Sequence, residues 1–349
     1  TIDSTRLMVP SRTGAILLPV HCLEVTMSRV THAPFLAVVA LLGACGPYNP
    51  FHVEVFDGLG KARDIAQRLA MESMDDVVGG NAVLGQGGPT VRAGGVTVVV
   101  RASRRDRGTP TLDGATLSEQ GSQSATIPVM TSSSMTVAAD LAFTPWAGFR
   151  SGKTRILSLE ALVSVSAQDK SGSGQLGLER SGGLALGLGS RIGIVGETQQ
   201  VPGVSLSFKR TTLPALAFRT TGIPTDAGRS IELGMSQFDG HVSSVRLAAE
   251  KHFGRLGVTA GWGNDDLQAT AALEATITDP GGVTDTQGGS FDASRQVLFI
   301  GGSYRLSRAV SVAAEVSRAT HTAPPSWNTV GTSSSWSSTL MSVGVQFGH

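Results

Sequence analysis

From about Val91 to the end of the chain, apolar and polar residues alternate with a period of two. Along 155–167, Leu157, Leu159, Ala161, Val163 and Val165 share one face, while Ser158, Glu160, Ser164 and Ser166 share the other. At 309–319, Val310, Val312, Ala314 and Val316 oppose Ser311, Glu315 and Ser317. At 266–277, Leu267, Ala269, Ala271, Leu273, Ala275 and Ile277 oppose Gln268, Thr270, Glu274 and Thr276. At 241–253, Val245, Leu247, Ala249 and Phe253 oppose Ser244, Arg246, Glu250 and His252. A period of two belongs to a strand with unlike faces. These runs exceed the roughly five or six residues common in soluble sheets and suit the roughly 9–11 residues of a tilted strand crossing a bilayer. The pattern predicts about twelve strands (ten to fourteen), near 91–101, 134–143, 155–167, 184–196, 201–211, 229–238, 241–253, 255–263, 266–277, 294–306, 309–319 and 336–347. Tight turns are expected at Asp239-Gly240, Gly263-Asn264-Asp265 and Ser307-Arg308. Residues 102–133, 168–183, 278–293 and 320–335 are long connections rich in Gly, Ser, Thr and Pro.

Ahead of the strands the period changes. Ala62, Ile65, Ala66 and Leu69 fall on one face of a helix that Asp57 can cap and that fades near Met74, before Gly79-Gly80. Two roles fit it: a plug inside the strand array or a cap outside its mouth. Further upstream, Met27-Ser28-Arg29 is weakly basic, Phe35–Ala44 is a short apolar run, and Cys45-Gly46 follows. That is the layout of a secretory signal, too short to cross a bilayer as a helix. Leu42-Gly43-Ala44-Cys45 resembles the lipobox of bacterial lipoproteins, which implies lipidation of Cys45 as the alternative to ordinary cleavage. The expected organisation is therefore an upstream extension (1–26), a signal segment (27–45), a periplasmic linker with the helix (46–90), and a strand domain (91–349).

Composition narrows the class. Lys+Arg number 28 and Asp+Glu 27 in 349 residues, a net charge of +1, and so small a basic excess argues against nucleic acid as a partner. Charged residues are 16% against about 25% in soluble domains, as expected when one face of each strand meets no water. With only Cys22 and Cys45, neither a disulfide framework nor a cysteine metal site is available. Aromatic residues are 5%, a thin supply for the girdles of a membrane barrel. Trp146, Trp262 and Phe347 are expected at the periplasmic strand ends, with Trp336 and Phe253 at the outer ends.

The last residues read Ser342-Val-Gly344-Val-Gln-Phe347-Gly-His349. This resembles the C-terminal assembly signal of bacterial outer-membrane β-barrels, with His349 standing where Phe or Tyr is expected. The resemblance covers roughly 91–349 and implies an all-β, antiparallel, up-and-down transmembrane barrel with a short N-terminal helix. It implies outer-membrane lipid around the barrel and the barrel assembly machinery as the reader of the final strand. With the N-terminal segment periplasmic, the long connections fall outside, Asp239-Gly240, Gly263–Asp265 and Ser307-Arg308 fall inside, and both chain ends are periplasmic. The short Phe253-Gly254-Arg255 turn then falls on the outside.

Inward faces are expected to carry Asp140, Glu160, Arg191, Lys209, Glu232, Arg246, Glu250, Glu274 and Glu315. A wet lumen accommodates such charges, whereas a dry one requires each to be paired. Two functions follow. One is a channel for passive diffusion of small solutes, with those charges setting selectivity. The other is a non-transporting structural or surface-binding barrel acting through its long outer loops. An outer-membrane hydrolase ranks lower. His241 and His252 are its candidate bases, but no local motif supplies a nucleophile, so no catalytic residue is assigned. Ser151-Gly152-Lys153-Thr154 ends like a phosphate loop but has Ala147 where that loop needs glycine. No histidine pair has metal-ligand spacing, and Asp279, Asp285 and Asp292 read as loop solvation. No metal or cofactor is implied.

Overall fold

The computed structural model describes residues 50–86, 94–110, 129–151, 154–168, 179–180, 184–220, 222–224, 229–277, 284–322 and 335–348. The upstream extension, the signal segment with Cys45, Asp279, His349 and the side chains of Asp57 and Trp336 lie outside the described residues. Among the described residues one helix, α1 (Pro50–Val77), precedes a sheet of fourteen strands. These are β1 (Val96–Pro110), β2 (Val129–Trp146), β3 (Phe149–Ser151), β4 (Thr154–Gln168), β5 (Glu179–Arg180), β6 (Leu184–Val195) and β7 (Gly203–Thr212). They continue as β8 (Leu216–Arg219), β9 (Ile223–Pro224), β10 (Ser230–Phe253), β11 (Leu256–Ile277), β12 (Thr284–Arg305), β13 (Val310–Thr322) and β14 (Ser335–Gly348). The hydrogen-bonded path runs through twelve of them. Pairing of β10 with β11, and of β14 with β1, closes the ring β1–β2–β4–β6–β7–β10–β11–β12–β13–β14, antiparallel throughout. The short β5 and β8 continue the lines of β6 and β7 at one rim, and β3 and β9 pair with β4 and β10. Closure leaves the ring no unpaired edge, as a sheet in hydrocarbon requires.

The barrel has two unlike ends. At one end, the turn end, β1 begins and β14 finishes, with Thr97 opposite Gly348. Short links at 152–153, 196–202, 254–255 and 306–309 join the strands there. At the other, the loop end, the connections are 111–128, 169–178, 225–229, 278–283 and 323–334. Two expected turns are corrected. Asp239-Gly240 sits inside the unbroken strand β10, opposite Thr270 and Ala269, and Gly263–Asp265 sits inside β11, opposite Arg246, Val245 and Ser244. The reversal instead uses Gly254, at φ 68°, with Phe253 opposite Leu256, and it lies at the turn end, with the Ser307-Arg308 link rather than opposite it. Two long strands therefore replace what the alternation suggested were four shorter ones.

The reason lies in how the faces are dressed. Outward residues of β11 read Leu256, Val258, Ala260, Trp262, then Asn264, Asp266, Gln268 and Thr270. Inward residues read Gly257, Thr259, Gly261, Gly263, Asp265, then Leu267, Ala269, Ala271, Leu273, Ala275 and Ile277. The strand never reverses; its polarity does. β12 behaves alike, with Tyr304, Ile300 and Leu298 outward near the turn end and Gln296 and Asp292 outward beyond them. In β10 a bulge between Ser236 and Asp239, with Gln237 at φ 51°, shifts the parity, so that Ile231, Leu233 and Met235 face inward together with Phe238 and Val242.

The outer surface near the turn end is thus an apolar belt. From Val245 to Phe253 it spans about 26 Å along the strand, or about 20 Å once strands tilt by roughly 40°. That approaches the ~25 Å band of outer-membrane barrels. Trp262 and Phe208 mark its upper edge, and Phe253, Tyr304, Phe347 and the edge-to-face pair Trp146–Phe149 (centroids 5.1 Å apart) its lower edge. Phe253 and Trp262 therefore exchange the ends expected of them.

Within the belt, Ile300→Arg is expected to destabilise the folded barrel in lipid by about 2–4 kcal/mol. Gln296→Arg, beyond its edge, should change stability by less than about 0.5 kcal/mol. Urea unfolding in liposomes measures both, and equal effects would place the hydrocarbon boundary elsewhere.

Candidate functional site

The helix occupies the lumen. Although α1 is polar on one side, nearly all of its described residues are buried, including Lys61, Asp64, Gln67, Arg68, Glu72, Asp75 and Asp76. Toward the loop end its apolar face (Leu59, Ala62, Ile65, Ala66, Leu69) packs against the inward apolar residues of β10, β11 and β12 in one continuous hydrophobic cluster. Burying those side chains contributes roughly 1.5–3 kcal/mol for each large one. This answers the face reversal. Above the belt, water wets the outside of the strands, so their apolar faces turn inward to the helix.

Below that cluster the filling is ionic. Asp75 accepts from Arg105 of β1 and Arg295 of β12, and lies 3.0 Å from His321 Nε2 of β13. Asp76 accepts from Arg105 Nε at 3.1 Å and Ser134 Oγ at 2.7 Å. Asp265 accepts from Arg246 at 2.8 Å and Arg295 at 2.7 Å. The last turn of α1 carries no basic residue, and its unpaired carbonyls need donors. The wall donates around that end: Arg105 to Glu72 O inside the helix (3.1 Å), and Arg295 to Val78 O (2.6 Å) and Arg246 to Gly80 O (2.6 Å) just beyond it. Cations at a helix C-terminus also suit its dipole. The chain then continues along the lumen, where Asn81 N–H donates to Glu315 (3.0 Å), and Arg191, paired with Glu160, donates to Gln86 O (3.2 Å). Gly80 permits this path, because a Cβ there would meet Phe299 Cβ at 2.8 Å and Ser317 Cβ at 2.6 Å.

Of the expected lumen residues, Asp140, Glu160, Arg191, Lys209, Arg246, Glu250 and Glu315 are inward and buried. Asp140 lies 3.1 Å from Arg101 Nε, and Glu250 lies 3.3 Å from His252 Nε2. Glu232 and Glu274 are corrected. Both point outward, Glu274 sitting 3.4 Å from the exposed Arg219. The β10 bulge displaced Glu232, and the polarity reversal of β11 displaced Glu274. Sequence reasoning missed Asp75, Asp76, Arg101, Arg105, Asp265, Arg295 and His321. Arg101 and Arg105 were legible, since both share the inward period of Val99 and Ser103. Asp265 was hidden by its reading as a turn, and His321 by its assignment to a loop. In β14, Ser342 Oγ hydrogen-bonds Ser103 Oγ at 2.8 Å, Gly344 faces inward against Leu84, and Phe347 faces outward.

Two cavities beside the helix, one near Asp75 and Arg295 and one near Lys209 and Ser244, are each about 10 Å³, about one water's worth. A larger concavity of about 710 Å³ lies on the wall, where outward Val100, Val137, Val312, Val343 and Val345 belong to the apolar belt.

No protein-family model matches the chain, and no curated relative does. Solved structures similar to it include the outer membrane protease OmpT from Escherichia coli (TM-score 0.38, 10% identity, 74% of this chain and 98% of that one). The translocator domain of the autotransporter NalP from Neisseria meningitidis gives a TM-score of 0.33, 13% identity, and coverage of 84% and 98%. The Pseudomonas putida toluene transporter TodX gives 0.32, 11%, 78% and 98%. At these scores the assignment rests on the closed ring and its apolar belt, which are those of an antiparallel transmembrane β-barrel.

Removing the Asp75 carboxylate leaves Arg105 and Arg295 buried with one partner fewer. Asp75→Ala is expected to cost about 3–5 kcal/mol, against less than about 0.5 kcal/mol for Asp266→Ala on the outer surface. Thermal unfolding in detergent compares the two, and parity between them would show that Asp75 does not hold the helix.

Gly80→Ala is expected to destabilise by about 1–3 kcal/mol through overpacking. The same thermal measurement checks it, and an unchanged midpoint would mean that residues 79–81 shift without cost.

Proposed function

We propose that this protein is an outer-membrane barrel closed by its own N-terminal segment, which acts at its loop end rather than as a resting diffusion pore. The observation that carries the reading is the filled lumen. An apolar cluster holds α1 above, and the Asp75, Asp76 and Asp265 ion pairs hold its C-terminal end below. Asp140 meets Arg101, Glu160 meets Arg191, Arg246 meets Asp265 and the plug backbone, and Glu315 meets the plug backbone, so these charges are used in closure rather than presented to passing solutes. The length asymmetry of the connections supports the orientation this reading takes, with the loop end outside the cell and the turn end in the periplasm. Strands β10, β11 and β12 then rise beyond the membrane with polar outer faces such as Gln268, Thr270 and Gln296. That wall, with the long connections, is the surface offered to a partner. In this reading the protein is not an enzyme and needs no cofactor. Its constant partners are outer-membrane lipid at the belt and the assembly machinery that handles β14. Passive diffusion of small solutes remains the second reading, and it requires the helix to leave its seat.

Planar-bilayer recording tests the choice. The purified folded barrel is expected to be electrically silent, whereas Arg105→Ala combined with Arg295→Ala should loosen the plug and produce intermittent openings. Sustained conductance from the unsubstituted protein would overturn the closed-barrel reading and favour the diffusion channel.

A further inference from the structure

The concavity of about 710 Å³ on the outer wall lies across the β14–β1 seam, and its volume is that of a ligand site, roughly 300–1,000 Å³. Its lining comes from β2, β1, β14, β13, β12 and β11, neighbours in that order around the ring, and so spans about 24 Å at about 4.8 Å per strand. The floor is made of small residues. Ala102 stands opposite Val343, Val343 opposite Ala314, and Ala314 opposite Gly302. A Cβ on Gly302 would have Gly257 O, at 3.4 Å, as its nearest neighbour. Toward the loop end the outward apolar series stops. On β1 it runs through Val100 and Ala102 and stops at Arg104; on β13 it runs through Ala314 and Val316 and stops at Arg318. On β14, between them, it stops at Thr339. Both arginines are exposed, and among the described residues neither is ion-paired; Arg318 reaches Ser337 Oγ at 3.4 Å. Asp106 follows Arg104 as the next outward residue on β1, further into water. The ladder registers put the two arginine Cα atoms about 12 Å apart, two strand spacings across and two residues along. On β10, β11 and β12 the exposed charges beyond the belt are instead acidic, as at Asp239, Asp266 and Asp292.

We propose that this part of the wall seats one phosphorylated, multiply acylated glycolipid of the outer leaflet. Its acyl chains lie in the concavity and its phosphates meet Arg104 and Arg318. The choice of leaflet rests on the proposed orientation, in which the loop end faces outward; the seat itself does not. Charge carries the choice of occupant. Guanidinium groups form strong, often bidentate hydrogen bonds to phosphate, and they gain most at the edge of hydrocarbon, where their stems lie along apolar surface and their heads reach the headgroups. The acidic arc of β10 to β12 would repel the same headgroup. Two cations about 12 Å apart suit a headgroup with two phosphates better than a single phosphodiester, and a floor several strands wide accepts more than one acyl chain side by side. A second copy of the barrel fits the surface poorly. A two-fold dimer needs a self-complementary patch, whereas two facing concavities enclose a void. The same axis, along the membrane normal, would set Arg104 and Arg318 against their own counterparts, and such like-charge contacts are costly.

Native mass spectrometry of the folded barrel in detergent, titrated with lipid A, phosphatidylglycerol or phosphatidylcholine, tests the seat. The expected result is one lipid A per barrel at saturation, with phosphatidylglycerol at least about tenfold weaker and phosphatidylcholine weaker still. Arg104→Ser combined with Arg318→Ser is expected to weaken lipid A binding at least about tenfold, the loss of charge-assisted contacts. Ala314→Leu, which fills the floor and keeps both arginines, should weaken it likewise. Arg210→Ser, at an exposed arginine of β7 outside the concavity, should leave it unchanged. Thermal midpoints confirm that each variant is folded. Equal lipid A affinity in the Arg104/Arg318 and Arg210 variants overturns the proposal, as does phosphatidylglycerol binding as tightly as lipid A. Addition of many lipids without saturation, or a dimer of the unsubstituted protein that Ala314→Leu abolishes, overturns it equally. Orientation is read separately, by labelling Gly288→Cys near the loop end and Arg255→Cys at the turn end on intact cells with a membrane-impermeant maleimide, above the signal of the unsubstituted protein. Labelling of Gly288→Cys alone is expected. Labelling of Arg255→Cys alone overturns the orientation and with it the outer-leaflet source, whatever the detergent titration shows.

Discussion

Asp75 is the point at which helix and barrel become one object. Its two oxygens engage Arg105 from β1, Arg295 from β12 and His321 from β13. Strands on both sides of the β14–β1 seam are thereby joined through a carboxylate on a segment that precedes all of them in sequence. Buried ion pairs seldom add much net stability over an apolar filling. Their force is conditional: once the arginines are inside, each must have a partner, and only a helix at one depth provides it. The apolar cluster higher up supplies cohesion but permits sliding, whereas the carboxylates set the register.

That division follows from the two solvents outside. Where hydrocarbon surrounds the barrel, apolar residues such as Val258, Ile300 and Val343 must face out, leaving Arg, Asp, Glu and Ser to fill the interior. Where water surrounds it, Leu267, Leu273 and Ile277 can turn in and pack on α1. A single strand such as β11 serves both regimes by exchanging the identity of its faces near Asn264-Asp265. The helix matches it, apolar toward the wet half of the barrel and acidic toward the dry half.

Much of this was legible in the chain. Strand length and alternation predict a membrane barrel, the connection lengths give its asymmetry, and the periodicity of Ala62, Ile65, Ala66 and Leu69 gives the helix. What could not be read was which side of the wall each face occupies, because alternation has a period but no sign. Assigning the apolar face outward along the whole of 266–277 put Glu274 in the lumen and required a turn at Gly263–Asp265 to restart the pattern. Asp239-Gly240 has turn-forming composition, yet it lies within β10 just past a bulge, where glycine also serves. The ion-pair network escaped for a different reason. Its members, from Asp75 to His321, are scattered over some 250 positions, and only closure of the ring brings them together.

The extra residue in β10 near Gln237 carries a larger burden than its size suggests. On its loop-end side, side-chain orientation depends on that single irregularity, which acts as a phase marker for the rest of the strand. Excising one residue there would present the Glu232 carboxylate to the oily flank of the helix and strand Leu233 in water. Tolerance of this stretch to insertion or deletion is therefore governed by arithmetic modulo two, so paired length changes preserve the molecule where single ones turn it inside out.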